Sequence, residues 1–160
     1  LIPEVRMTYL RYAAVGTLLI ILQTSAVPLL GVRGIEPDLI LCFLVYFCIK
    51  KGAMAGSVGG FLLGLSLDVY APQQLGVGAF SACATGYLAG QLDERKIKID
   101  DRYKILVLFL SSLFYQIARS ILVFGIHKTF AQFLLAYIIP VSLYTSLAGG
   151  LLMFFPGVKR

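Results

Sequence analysis

Apolar residues fall into six long stretches along the chain, and short polar or charged segments separate them. The second and third stretches are short for membrane spans, because a helix that crosses the hydrocarbon core needs roughly 20 mostly apolar residues. They reach across only with their charged flanks or by starting below the outer surface. The pattern predicts an all-α, polytopic membrane protein with six transmembrane helices in one domain, residues 1–160. The predicted spans are about 12–30, 37–49, 53–67, 75–92, 105–126 and 130–155.

The composition excludes a water-soluble globule. Hydrophobic residues make up 59% of the chain and charged residues 14%, and the mean hydropathy is +0.87. A soluble domain averages about 45–50% apolar and about 25% charged residues. The first stretch follows Arg6 and Arg11, as a signal peptide would, but it is longer than the usual apolar region of about 7–15 residues. No small-x-small cleavage site follows it, so we expect it to be retained.

The net charge of +6, from 14 Lys and Arg against 8 Asp and Glu, is a topology signal. Cations are retained on the cytoplasmic side of short loops. With the N-terminus inside, Arg33 and Lys128 fall in outer loops and Arg119 falls within span five. The other cations lie in inner segments: Arg6, Arg11, Lys50, Lys51, Arg95, Lys96, Lys98, Arg102, Lys104, Lys159 and Arg160. This asymmetry predicts a multi-pass protein with both termini in the cytoplasm.

Small residues recur every fourth position in spans three and four. Residues four apart lie on one face of a helix, and a glycine there lets another helix approach backbone to backbone. The pattern predicts a close contact of these spans, either with each other or with a helix of a partner. The ladder residues are Gly52, Gly56, Gly60 and Gly64 in span three, and Gly78, Ala82, Gly86 and Gly90 in span four.

Three charged residues lie at membrane depth, where ionisable groups are costly and usually paired or functional. Helix rise places Asp38, Asp68 and Arg119 about 20, 25 and 22 Å above the inner boundary, in the outer half of the hydrocarbon core. Gln23 and Gln116 lie at similar depths. We predict a polar layer, with Arg119 paired to Asp38 or Asp68, gripping a ligand or partner, or reaching the outer interface. Asp38, after Pro37, is alternatively a cap of span two.

The strongest charged run, residues 93–104, has two interpretations. It is either a solvated inner loop that fixes the topology or a docking strip for a cytoplasmic partner. Its cations are Arg95, Lys96, Lys98, Arg102 and Lys104. Four acids interrupt these cations and Tyr103 is the only aromatic neighbour, so we expect no nucleic-acid binding.

No catalytic or metal site is expected. The segment Gly64-Leu65-Ser66-Leu67-Asp68 lacks the second glycine of a nucleophile elbow, and the only histidine, His127, is predicted to lie in an outer loop. Cys42, Cys48 and Cys83 have no metal-ligand spacing, so we interpret them as packing residues. The sequence thus predicts a protein that is not an enzyme and needs no cofactor.

Four short motifs, in this order and spacing, resemble the rod-shape-determining protein MreD family. They are Pro37-Asp38-Leu39, Gly60-Phe61-x-x-Gly64-Leu65-x-x-Asp68, Leu75-Gly76 with Gly78-Ala79, and Gly86-Tyr87-x-x-Gly90. The resemblance implies a non-catalytic component of the bacterial inner membrane that belongs to the elongation (rod) complex, or elongasome. Such a protein binds MreC and helps to organise side-wall peptidoglycan biosynthesis and cell shape.

The same resemblance implies further partners and a rival function. RodA, a class B penicillin-binding protein and MreB are expected to contact the chain directly or through MreC, and membrane lipid surrounds it. The ladder of span four is the first candidate for an exposed partner face, with Phe61 and Tyr87 as adjacent packing area. The family is also similar in fold to the substrate-binding subunits of energy-coupling-factor transporters. The alternative function is therefore a membrane solute-binding subunit of a vitamin-type transporter.

Overall fold

The computed structural model describes residues 2–25, 35–70, 72–92, 101–124 and 134–154. These residues form six α-helices and no strand, which confirms the all-α class. A 3₁₀ turn, Pro72–Gln74, precedes α4, and a π-helical turn, Leu134–Ile138, leads into α6. The helices are α1 Ile2–Ser25, α2 Leu39–Lys51, α3 Ala53–Asp68, α4 Val77–Gly90, α5 Asp101–Phe124 and α6 Ile139–Phe154.

Each predicted apolar stretch overlaps one of these helices, but the bounds and lengths differ. Among the described residues, one segment, Tyr103–Val123 of α5, is long and apolar enough to cross a membrane by that test. The shorter apolar helices include Leu10–Ser25 and Ala53–Asp68. Helices α2 and α4 have 13 and 14 residues, fewer than the roughly 20 that a perpendicular crossing needs. A six-span topology therefore stays a prediction.

A single glycine makes the turn between α2 and α3. Gly52 has φ 88°, a left-handed conformation that side chains disfavour. Its N–H donates to Cys48 O at 2.8 Å, and its carbonyl accepts from Gly56 N at 2.9 Å, so one residue ends α2 and starts α3. The first member of the predicted ladder thus has a conformational task in addition to its small size.

Helix α2 lies at the centre of the described bundle. It is apolar on all sides, as expected for a helix surrounded by protein. Its side chains Leu44, Val45 and Cys48 are at most 1% exposed, and they form one core with α4 and α5. Because α2 is central, its N-terminus lies among the other helices, which brings their polar residues to the start of α2.

Candidate functional site

The two small-residue ladders pack against each other. A Cβ atom built on Gly56 would lie 2.6 Å from Gly86 O, and one on Gly90 would lie 2.5 Å from Ala53 Cα. A Cβ on Gly60 would collide with Ala82 O. These distances leave no room for a side chain, so α3 and α4 touch through their backbones. We call this contact the glycine seam.

The glycine seam corrects one expectation. The ladder of α4 was the first candidate for a face exposed to a partner, but Gly78, Ala82, Gly86 and Gly90 are all buried. They are buried because α3 offers a matching ladder at the same spacing. The adjacent aromatic residues are available, since Phe61 is 46% and Tyr87 is 51% exposed.

Asp68 joins the end of α3 to the start of α4. Its carboxylate is 3% exposed, and Oδ2 accepts from Gly76 N at 2.8 Å and from Ala79 N at 3.0 Å. The first amides of a helix have no partner within the helix, and their positive dipole end favours an anion. Asp68 therefore caps α4 across eleven residues of sequence, although it is the last residue of another helix.

Asp38 and Gln23 meet at the start of α2. Asp38 Oδ1 accepts from Leu41 N at 2.8 Å, which is the predicted N-cap arrangement. The Gln23 side chain from α1 donates from Nε2 to Pro37 O at 3.1 Å and accepts from Leu39 N at 2.9 Å. Both side chains thus form hydrogen bonds with backbone groups at the start of α2 that have no partner within the helix.

We expect Gln23→Leu to lower the unfolding free energy by about 1–2 kcal/mol, because two hydrogen bonds to backbone groups are lost. Gln23→Glu keeps an acceptor for Leu39 N but places a carboxylate against Pro37 O and beside Asp38, so we expect it to restore none of the loss. Thermal unfolding in mild detergent measures both. Thr24→Ala is the matched control, since Thr24 is exposed and bonds only to carbonyls of its own helix. Equal melting temperatures for Gln23→Leu and Thr24→Ala would show that the two hydrogen bonds of Gln23 to the start of α2 do not stabilise the protein.

Arg119 is oriented differently from the expected ion pair. Its guanidinium donates to Gln74 Oε1 at 3.3 Å. Among the described residues it forms no direct ion pair with Asp38 or Asp68, which each accept hydrogen bonds from the amides of a helix start. Arg119 attracts Asp38 through the longer-range Coulombic interaction. Arg119 thus lies near two carboxylates that each cap a helix, and it forms neither of the two predicted ion pairs among the described residues.

Tyr115 and Thr145 complete the polar layer, and the sequence reasoning missed both. Tyr115 is 3% exposed, forms a side-chain hydrogen bond with Arg119 and lies within electrostatic range of Asp38 and Asp68. Thr145 Oγ1 accepts from Asp38 N at 3.1 Å, which ties α6 to α2. Tyr115 could have been predicted from the sequence, because it lies four residues, about one helical turn, before Arg119 on the same helix.

Gln116, the remaining predicted member, is half-buried beside Tyr115 on α5. It forms no hydrogen bond with another described residue of the layer. The layer is drawn from α1, α3, α5 and α6, from the N-cap of α2 and from the 3₁₀ turn. Its residues are Gln23, Asp38, Asp68, Gln74, Tyr115, Arg119 and Thr145.

The comparison with protein families decides where this architecture belongs. The model of the family described as rod shape-determining protein MreD matches residues 7–156, nearly the whole chain. The chain belongs to the MreD family. No curated protein and no solved structure matches it. The expected likeness to energy-coupling-factor subunits therefore gains no support, and neither does the solute-binding function that depended on it.

MreD membership agrees with the motifs and associates the chain with rod-shape determination and with membranes. Those motifs now have structural tasks. Asp38 and Asp68 are helix caps, and Gly60, Gly64 and Gly86 belong to the glycine seam. In this MreD-family chain, the motif residues thus build the junctions of α2, α3 and α4.

Several predicted residues of this MreD chain lie outside the described part. Arg95, Lys96 and Lys98 are among them, as is His127, and the side chain of Arg102 is likewise not described. Lys104 is half-buried near the start of α5. Within the described residues, no group of three His, Cys, Asp or Glu is placed to hold a metal ion.

Proposed function

We propose that the chain is a non-catalytic scaffold of the rod complex in the bacterial inner membrane. It binds MreC, and through MreC or directly it engages RodA, the class B penicillin-binding protein and MreB. In this way it helps to organise side-wall peptidoglycan synthesis. MreD-family membership supports the role in shape determination. The exposed face of the α3–α4 pair is the observation that supports a partner surface.

That face is aromatic, and it points away from the other described helices. Helix α2 approaches α3 at Gly59, where an added Cβ would lie 3.0 Å from Phe47 Cε1. Helix geometry places Phe61 two residues, about 200°, further round α3, on the opposite side of the glycine seam. Phe80 and Tyr87 occupy the same side of α4 and are 63% and 51% exposed. We call Phe61, Phe80 and Tyr87 the aromatic face.

The aromatic face suits a single transmembrane helix. Between helices in lipid, association depends on close packing rather than on burial from water. The glycine seam brings the backbones of α3 and α4 into contact. Ser57 follows Gly56 and Cys83 follows Ala82, and both are half-buried, so small residues adjoin the seam on the two helices that carry the exposed rings. MreC, expected to have one span, fits such a surface with one helical face.

The proposed topology has six crossings with both termini in the cytoplasm. The Lys and Arg distribution supports it, because the inner segments then hold most of the cations. The run at residues 93–104 would face the cytoplasm, where MreB is located. A direct contact with MreB would use this run, whereas the contact with MreC would use the aromatic face.

We expect the double variant Phe61→Ala, Tyr87→Ala to reduce co-purification of MreC at least about tenfold, because truncated aromatic anchors commonly cost about 2 kcal/mol each. The measurement is the amount of MreC recovered with tagged protein from detergent-solubilised membranes. Leu110→Ala with Leu147→Ala is the matched control, because these side chains are 55% and 66% exposed on α5 and α6. Undiminished MreC recovery by the aromatic double variant, at wild-type stability, would contradict the proposal.

A further inference from the structure

An apolar groove lies on another side of the bundle, between α1 and α3. Its floor is formed by Phe43 and Phe47 of α2, and it encloses about 670 Å³. Its outer rim on α3 includes Val58 and Leu62, which are 58% and 57% exposed. The groove is therefore open along its length toward the surroundings of the bundle rather than sealed as a core cavity.

Two glycines allow close packing at the sides of the groove. A Cβ on Gly16 would lie 3.3 Å from Leu63 Cδ2, and one on Gly59 would lie 3.0 Å from Phe47 Cε1. Larger residues at these positions would displace Leu63 or Phe47. The rings also hold one another, with centroids 5.1 Å apart for Tyr12 and Phe47 and 6.4 Å apart for Phe43 and Phe47. The floor is thus a fixed aromatic surface.

One end of the groove is cationic. Lys51 lines it, with the ammonium 5.4 Å from the centroid of the Tyr12 ring. Arg11 precedes Tyr12, and Lys50 precedes Lys51 with its own ammonium 4.6 Å from the Tyr46 centroid. None of the described residues that line the groove is acidic. The Lys and Arg distribution predicts that this end faces the cytoplasm.

The length and the charge of the groove fit a lipid. On α3 the lining runs from Met54 to Ser66, about 18 Å, close to the roughly 15 Å thickness of one hydrocarbon leaflet. An acyl chain of one leaflet therefore extends over the length of the groove, and the cationic end lies where an anionic headgroup would be.

We propose that this groove binds one anionic phospholipid of the cytoplasmic leaflet. The phosphate lies at Lys51, and one acyl chain follows the floor of Phe43 and Phe47. Basic pockets between helices on the cytoplasmic side are known to hold anionic headgroups. The groove does not include the residues of the aromatic face, so lipid binding here and the proposed contact with MreC are tested independently.

Native mass spectrometry of the full chain in mild detergent tests the site. The protein is titrated with phosphatidylglycerol and, separately, with phosphatidylcholine of the same acyl chains. We expect one phosphatidylglycerol to bind in preference, and Lys51→Gln to weaken its retention about fivefold, the contribution of one Lys facing an anionic surface. Lys50→Gln removes the same charge one residue away, but the Lys50 ammonium packs on Tyr46, which does not line the groove, so we expect a smaller loss than for Lys51→Gln.

A second variant tests the acyl-chain position without changing charge. Ala55→Phe places a ring in the groove and should abolish tight retention, whereas Leu147→Phe places the same ring at an exposed position of α6 and should leave retention intact. Melting temperatures compare the folding of all variants. If Ala55→Phe fails to fold, the comparison of Lys51→Gln with Lys50→Gln decides.

Four results would overturn the proposal. They are equal binding of phosphatidylcholine, equal losses in Lys51→Gln and Lys50→Gln, and undiminished retention by folded Ala55→Phe. The fourth is a photo-crosslinker at Val58 that captures a protein helix instead of lipid in intact membranes. That last result would identify the groove as a helix-docking site.

Discussion

Gly60→Leu is expected to prevent α3 and α4 from pairing, and Gly60→Ala is expected to lower the unfolding free energy by about 1–3 kcal/mol. A Cβ at Gly60 would collide with the carbonyl of Ala82, a backbone atom that moves only if the whole helix moves. Separation of the helices would also loosen the contacts of Gly56 and Gly64 in the same seam. Thermal unfolding in mild detergent, followed by circular dichroism, measures the loss.

The same substitution elsewhere in the chain supplies the control. A Cβ on Gly150 of α6 would lie 3.7 Å from Ile105 Cδ1, an ordinary contact distance. Gly150→Ala should therefore leave the melting temperature unchanged or raise it, because alanine favours a helix over glycine by about 1 kcal/mol. If both alanine variants behave alike, close backbone contact does not stabilise the seam.

Asp68→Ala is expected to cost about 2–4 kcal/mol, because the amides of Gly76 and Ala79 lose their buried acceptor. Both hydrogen bonds end on one oxygen, so the amide oxygen of Asn can replace it. Asp68→Asn should therefore cost only about 1 kcal/mol, the value of the negative charge at a helix N-terminus. Hydrogen exchange of the Gly76 and Ala79 amides should accelerate strongly in Asp68→Ala and slightly in Asp68→Asn.

Ser66→Ala is the control for Asp68. Ser66 lies two residues earlier on α3, is exposed, and donates only to Leu62 O of its own helix at 2.9 Å. Its removal should change stability by less than about 0.5 kcal/mol. An equal effect of Asp68→Asn and Asp68→Ala would show that charge, rather than the acceptor, stabilises the start of α4.

These tests also bear on the intramembrane charges. Helix rise predicts that Asp38, Asp68 and Arg119 lie at one depth, and in the structure all three are within electrostatic range of Tyr115. Depth alone led to an ion pair, since opposite charges at one level attract. In the structure, the backbone amides at the start of α2 bind Asp38, and those at the start of α4 bind Asp68. Side-chain charges and their depths do not predict these hydrogen bonds to the backbone.

The sequence by itself determined the helical class, the position of each helix and the family, because apolar periodicity and motif spacing are properties of the chain. It also offered the cap at Asp38 as one of two interpretations, since that interaction spans three residues. Tertiary structure alone decided that the ladders face each other, that Asp68 caps another helix and that Gln23 clamps α2. These contacts join helices, so their existence depends on how the helices rotate and approach, and the apolar pattern of an almost wholly hydrophobic helix leaves that rotation open.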